Sequence, residues 1–123
     1  MKFDLHLHSH YSDGSFSPAE VIQKCKARGV EIVSLTDHEN TGGILEAKEV
    51  GDKLGIRVIP GIELASDFQG GEHHILGYFI DPDDQKLKEF LKRWKESKVI
   101  QIKEIIGNLQ KFGFDVSLDK VIS

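Results

Sequence analysis

Between residues 3 and 80 the chain alternates short apolar runs with capped amphipathic stretches, and few architectures accept that order. KFDLHLHS alternates with the period of a strand. SPAE then supplies a helix start: Ser17 as N-cap, Pro18 at the first helical position and Glu20 placed to close a capping box. Val21, Ile22, Cys25 and Ala27 give this helix its apolar positions, and Gly29 ends it. EIVSLTDH is a short apolar strand closed by polar residues. TGGILEAKEVGDKLG predicts a second helix with Gly55 past its C-terminus, RVIPGIELAS a third strand and HHILGYFI a fourth. Strand, helix, strand, helix, strand, strand with short connections is the order of an α/β fold. The apolar runs predict strands buried on both faces. In parallel α/β folds the chemistry gathers at the C-terminal strand ends, where Thr36, Asp37, His38 and Glu63 are expected to fall.

Past Asp81-Pro82 the pattern changes. Leu87, Phe90, Leu91, Trp94, Ile102, Ile105, Ile106, Leu109 and Phe112 recur at three- and four-residue spacing, which predicts one long amphipathic helix or two in series. Gly113 ends it, and SLDKVIS predicts a further helix beginning at Ser117. The Trp94 stripe reads as a packing face. The chain therefore divides into residues 1–82, which carry the strands, and a helical segment, 83–123.

Composition excludes several classes. The 123 residues suit one domain, and 39% hydrophobic with 29% charged residues describes a globular chain. A net charge of −4 argues against bulk electrostatic affinity for nucleic acid, so a phosphorylated ligand needs a local source of positive charge. The one cysteine, Cys25, forms no internal disulfide, which suits a reducing compartment. No apolar run approaches the ~20 residues of a membrane span, and the expected location is cytoplasmic.

All six histidines lie within the first 74 residues. In HLHSHYSDG, His6, His8 and His10 alternate along a strand, so all three point the same way, and Asp13 follows closely. With Asp37, His38, Glu63, His73 and His74 they form an unusual set, drawn from four elements directed toward one edge. Any one of these residues alone reads as a surface group or a satisfied core polar group. Together they would be costly to bury without a compensating cation. Divalent ions resolve this, since neutral imidazoles and carboxylates are their natural ligands. The mixed donors favour Zn²⁺, Mn²⁺ or Fe²⁺ over Ca²⁺. A carboxylate such as Glu63 can bridge two ions.

HLHSHYSDG, LTDH, PGIE and HILGY, in that order, resemble the successive motifs of the PHP (polymerase and histidinol phosphatase) family. The resemblance implies the N-terminal part of a distorted (β/α)7 barrel with a cluster of two or three divalent ions at its mouth. It implies His6 and His8 as ligands of one ion, Glu63 as the bridge, His74 as a ligand of a second ion, and Asp13 and His38 as ligands of a third. His10 stands where the family usually has Ser or Thr, and His73 lies one position early, so both are expected to be non-ligands. Asp37 is expected to support ligands rather than bind an ion.

Asp13 within SDG, and the helical stretch after Asp83, are similar to the branch that hydrolyses nucleotide phosphates and short RNA. The implied activity is metal-dependent phosphoester hydrolysis by activated water, on a phosphorylated small molecule, nucleotide or short oligonucleotide. The alternatives are a polymerase-associated 3′–5′ exonuclease module, a histidinol-phosphatase-like enzyme and a non-catalytic metal-binding domain. The family places further ligands later, whereas no histidine follows His74. The chain is therefore expected to be the N-terminal part of a longer protein, with a truncated helical insertion, weak activity alone and a tendency to self-associate.

Overall fold

The computed structural model describes residues 1–122. The elements are β1 (Phe3–Leu7), α1 (Pro18–Ala27), β2 (Ile32–Leu35), α2 (Ile44–Leu54), β3 (Arg57–Phe68), β4 (Gly71–Tyr78), α3 (Gln85–Lys111) and α4 (Leu118–Ile122). They form two compact units, Met1–Asp84 and a helical unit beginning at Gln85.

In the first unit the four strands make one sheet in the order β1-β2-β3-β4. β1 with β2 and β2 with β3 are parallel, so α1 and α2 serve as the crossovers such pairs require. Helix α1 starts as its sequence dictates. The Ser17 side chain accepts from the Glu20 amide, Glu20 reaches back to the Ser17 amide, and Pro18 sits in the first turn. Its buried side, Val21, Ile22 and Cys25, packs with Val33 and Leu35 of β2, Ala47 of α2, and Val30 and Ile56. Helix α2 begins only at Ile44, because Gly42 and Gly43 are taken up by the chain's approach to the Tyr11 ring. A Cβ on Gly42 would stand 2.7 Å from that ring. Gly55 caps α2 in the left-handed region, at φ 67°.

The fourth strand departs from the expected burial. β2 is enclosed, but β4 is mostly exposed. β3 and β4 are joined by a hairpin whose two turn residues, Gln69 and Gly70, both have positive φ, so β4 returns antiparallel without a covering helix. The sheet also curls. The Tyr78 hydroxyl at the end of β4 donates to the Leu5 carbonyl of β1 at 3.0 Å, although these strands are the sheet's two edges.

The helical unit contains one 27-residue helix, α3, rather than two in series. Of its apolar stripe only Ile106 is buried, and Phe90, Ile100, Ile105 and Leu109 are exposed. Among the described residues no helix is long and apolar enough to cross a membrane.

Candidate metal centre

Glu63 sits in β3 just beyond the parallel ladder, which pairs Ile32 to Leu35 with Arg57 to Pro60. A single parallel bridge then joins Glu63 to His38, where the Glu63 amide donates to the Asp37 carbonyl and the Glu39 amide to the Glu63 carbonyl. The carboxylate is therefore delivered to the end of β2, and its residue is only 3% exposed.

Imidazoles surround it. His6 Nε2 and His8 Nε2 both approach Glu63 Oε2, at 2.8 and 2.9 Å, and His38 Nε2 lies 3.7 Å from the same oxygen. On the other side His74 Nδ1 is 2.8 Å from Oε1. His8 also places Nδ1 2.8 Å from Asp13 Oδ1, and His38 Nε2 is 3.7 Å from Asp13 Oδ2. The six residues expected to be ligands thus converge.

Their donor atoms form three groups in which every atom lies within 4.8 Å of the others: His6, His8 and Glu63; His8, Asp13 and His38; His38, Glu63 and His74. None of these groups includes His10 or His73. His10 stacks on Tyr11, and His73 pairs with Ser66 one strand position from His74, on the opposite face.

The donor set fits divalent cations. A neutral imidazole carries one N–H and donates once, yet both nitrogens of His8 face carboxylates. So do those of His74, whose Nε2 is 3.0 Å from Glu72 Oε1. Each of these rings needs either a proton or a cation on one side.

The electrostatics reflect the same close pairing of rings and carboxylates. For Glu63, burial raises the pKa, but hydrogen bonds from His6 and His74 and the charges of His38 and His6 outweigh it and hold the carboxyl below its ordinary value. Asp13 is lowered too, its desolvation overcome by the hydrogen bond and charge of His8. His74 is raised, chiefly by its hydrogen bond to Glu72 and then by that to Glu63.

Several supporting groups escaped the sequence reading. Glu72 backs His74 from the same face of β4. Glu39 adopts φ 42°, in the left-handed region, and its carboxylate accepts from the Ala65 amide at 2.6 Å. Ser9 and Ser12 both bind the buried Asp37. The alternation that revealed His6 and His8 carries no signal for such partners, which come from distant positions.

Comparison with known proteins follows the same line. A family model described as the PHP domain matches residues 4–104. The chain is 35% identical over 118 residues to a 5′-3′ exoribonuclease of Haemophilus influenzae, covering 96% of this chain and 43% of that protein. It is 36% identical over 110 residues to a 3′,5′-nucleoside bisphosphate phosphatase of Chromobacterium violaceum, covering 89% and 39%. The chain thus spans less than half the length of these relatives. Among solved structures, an amidohydrolase of Chromobacterium violaceum superposes with a TM-score of 0.84 at 34% identity, covering 97% of this chain and 42% of that one. A structure from Bifidobacterium adolescentis superposes at 0.86 and shares the fold at 23% identity, covering 99% and 42%. With the site's geometry and a family match over most of its length, this chain belongs to the PHP domain family.

Proposed function

We propose that the protein is a metal-dependent phosphoesterase acting on nucleotides or short oligonucleotides. The observation that carries this reading is the sharing of donors, with Glu63, His8 and His38 each belonging to two of the three candidate groups. Shared ligands suit two or three closely spaced ions rather than one, and nitrogen and oxygen donors without thiolates suit Zn²⁺, Mn²⁺ or Fe²⁺.

His6, His8, Asp13, His38, Glu63 and His74 are the ligands on this reading. Divalent ions, when bound, polarise a phosphoryl group and acidify water. The chain's own part is to present neutral imidazoles and ionised carboxylates. Ordinary carboxyl pKa values, about 4, already leave Glu63 and Asp13 ionised at neutral pH. Clustered cations also supply the local positive charge that an acidic chain needs to hold a phosphate ester.

The substrate class is supported by the relatives' activities on nucleoside bisphosphates and RNA. Residues 1–82 form the metal-holding part of a barrel, and 83–123 begin a helical insertion. The open edge of β4, the last strand, invites pairing with another chain, so self-association is expected. A reducing, cytoplasmic setting suits the lone buried Cys25.

The test is an assay of metal-loaded protein against p-nitrophenyl phosphate, a nucleoside 3′,5′-bisphosphate and a 5′-phosphorylated oligoribonucleotide. Metal-dependent release of phosphate or mononucleotide is expected. Tight metal binding with no turnover of any substrate would instead make the chain a metal-holding unit without catalysis of its own.

A further inference from the structure

Asp37 is 2% exposed and belongs to none of the three groups of donor atoms. Oδ1 accepts from the Ser9 amide and from the Ser12 hydroxyl, each at 2.6 Å, and Oδ2 accepts from the Ser9 hydroxyl at 2.7 Å. Ser9 is itself fully buried. Its hydroxyl oxygen accepts from the Tyr11 amide, and its carbonyl accepts from the amides of Ser12 and Gly14. The whole turn between His8 and Asp13 is therefore fastened to one carboxylate at the end of β2.

Gly14 closes the turn from beneath. A Cβ there would stand 2.6 Å from the His8 carbonyl, so only glycine lets the chain fold this closely under His8. The Ser12 hydroxyl, whose proton points to Asp37, also lies 3.5 Å from His8 Nδ1 and 3.4 Å from Asp13 Oδ1. Ser12 thus touches both ends of the arm that it helps to hold.

We propose that Asp37 is a positioning residue that, through Ser9 and Ser12, sets the spacing of His8 and Asp13 and so the affinity of the ion held by His8, Asp13 and His38. The inference rests on reading those three residues as ligands. It predicts the largest effect on that group and a smaller one on the group of His6, His8 and Glu63, which shares His8, while His74 on β4 lies outside the turn. The relevant property is geometric rather than electrostatic. An asparagine keeps the acceptor for the Ser9 amide and the Ser12 hydroxyl through its carbonyl, but its amide reverses the bond to the buried Ser9 hydroxyl, whose proton loses its acceptor.

The experiment compares wild type, Asp37→Ala, Asp37→Asn and Ser12→Ala by calorimetric titration with Mn²⁺. The visible spectrum of the Co²⁺-loaded proteins and the thermal midpoint of the metal-free proteins are recorded alongside. Asp37→Ala is expected to weaken one binding step by about 10–100-fold, the range for loss of a ligand's supporting partner, and to alter the Co²⁺ spectrum. Ser12→Ala, at a part-buried position, is expected to change the same step in the same direction with the thermal midpoint kept, so the test survives if Asp37→Ala fails to fold. Asp37→Asn, which keeps the two bonds to Oδ1, should restore part of the affinity. Equal affinities and spectra for wild type and Ser12→Ala would overturn the proposal, as would an asparagine variant no better than alanine. Wild type that takes up neither Mn²⁺ nor Co²⁺ would overturn the metal-centre reading itself, a distinct result.

Discussion

Glu63 and His74 stand eleven positions apart, yet Glu63 Oε1 and His74 Nδ1 lie 2.8 Å from each other. The antiparallel register makes this possible. Glu63 pairs with Leu76, and His74 lies two residues along β4, so both side chains occupy one face as diagonal neighbours. A slip of one residue would send His74 to the face now held by His73. The hairpin register is thus part of the site.

Glu63→Gln should keep the shape of this contact while removing the shared anion. Two of the three groups lose a carboxylate. The expected loss of Mn²⁺ affinity exceeds the ~10–100-fold that follows loss of a ligand's supporting partner. Calorimetric titration measures it, and an unchanged isotherm would remove Glu63 from the site.

His8→Ala should abolish the proposed phosphoesterase activity and leave the fold intact, because His8 belongs to two of the donor groups and lies outside the apolar core. His10→Ala should be much milder, since that ring stacks on Tyr11 and joins no group. Parallel kinetics and circular dichroism check the pair. His8→Ala activity within about threefold of wild type contradicts the ligand assignment, given that each tenfold in rate corresponds to ~1.4 kcal/mol of transition-state stabilisation.

Gly61→Ala probes the path that delivers Glu63. An added Cβ would overlap the Ser34 hydroxyl and stand 2.7 Å from the Thr36 methyl. Overpacking of this kind costs about 1–3 kcal/mol. Chemical denaturation should show that loss, and a variant as stable as wild type would mean that β2 and β3 are less tightly apposed.

Glu20 gives a pH signature away from the cluster. Its hydrogen bonds with Ser17, first to the backbone amide and then with the side chain, hold its pKa below the ordinary value. A depressed folded pKa stabilises the fold above the unfolded value, and that contribution disappears as pH falls through the folded one. The advantage of wild type over Glu20→Gln should therefore be present at neutral pH and shrink in acid. A pH-independent difference would show that the capping carboxylate does not titrate as the geometry requires.

Much of this was legible in the chain. The capping box of α1, the glycine ends of the first two helices and the alternation of His6 with His8 are local patterns with local causes. The hairpin was less visible, because Gln69-Gly70 is a weaker turn signal than Asn-Gly and the strand beyond it reads as another apolar run. The exposure of β4 follows from that hairpin, and no periodicity announces it. Within the site, the ordered motifs located all six candidate ligands. Ser9, Ser12, Glu39 and Glu72 stayed hidden, because each earns its place through a partner that only the folded register supplies.

The central claim is that Glu63 joins neighbouring ion sites. Anomalous diffraction from crystals of the Mn²⁺- or Zn²⁺-loaded protein tests it most directly. The account predicts at least two peaks beside Glu63, one shared with His6 and His8 and one with His74, with Zn–N and Zn–O distances of about 2.0–2.2 Å for zinc. A single peak that Glu63 does not touch, or no peak among these residues, would contradict it.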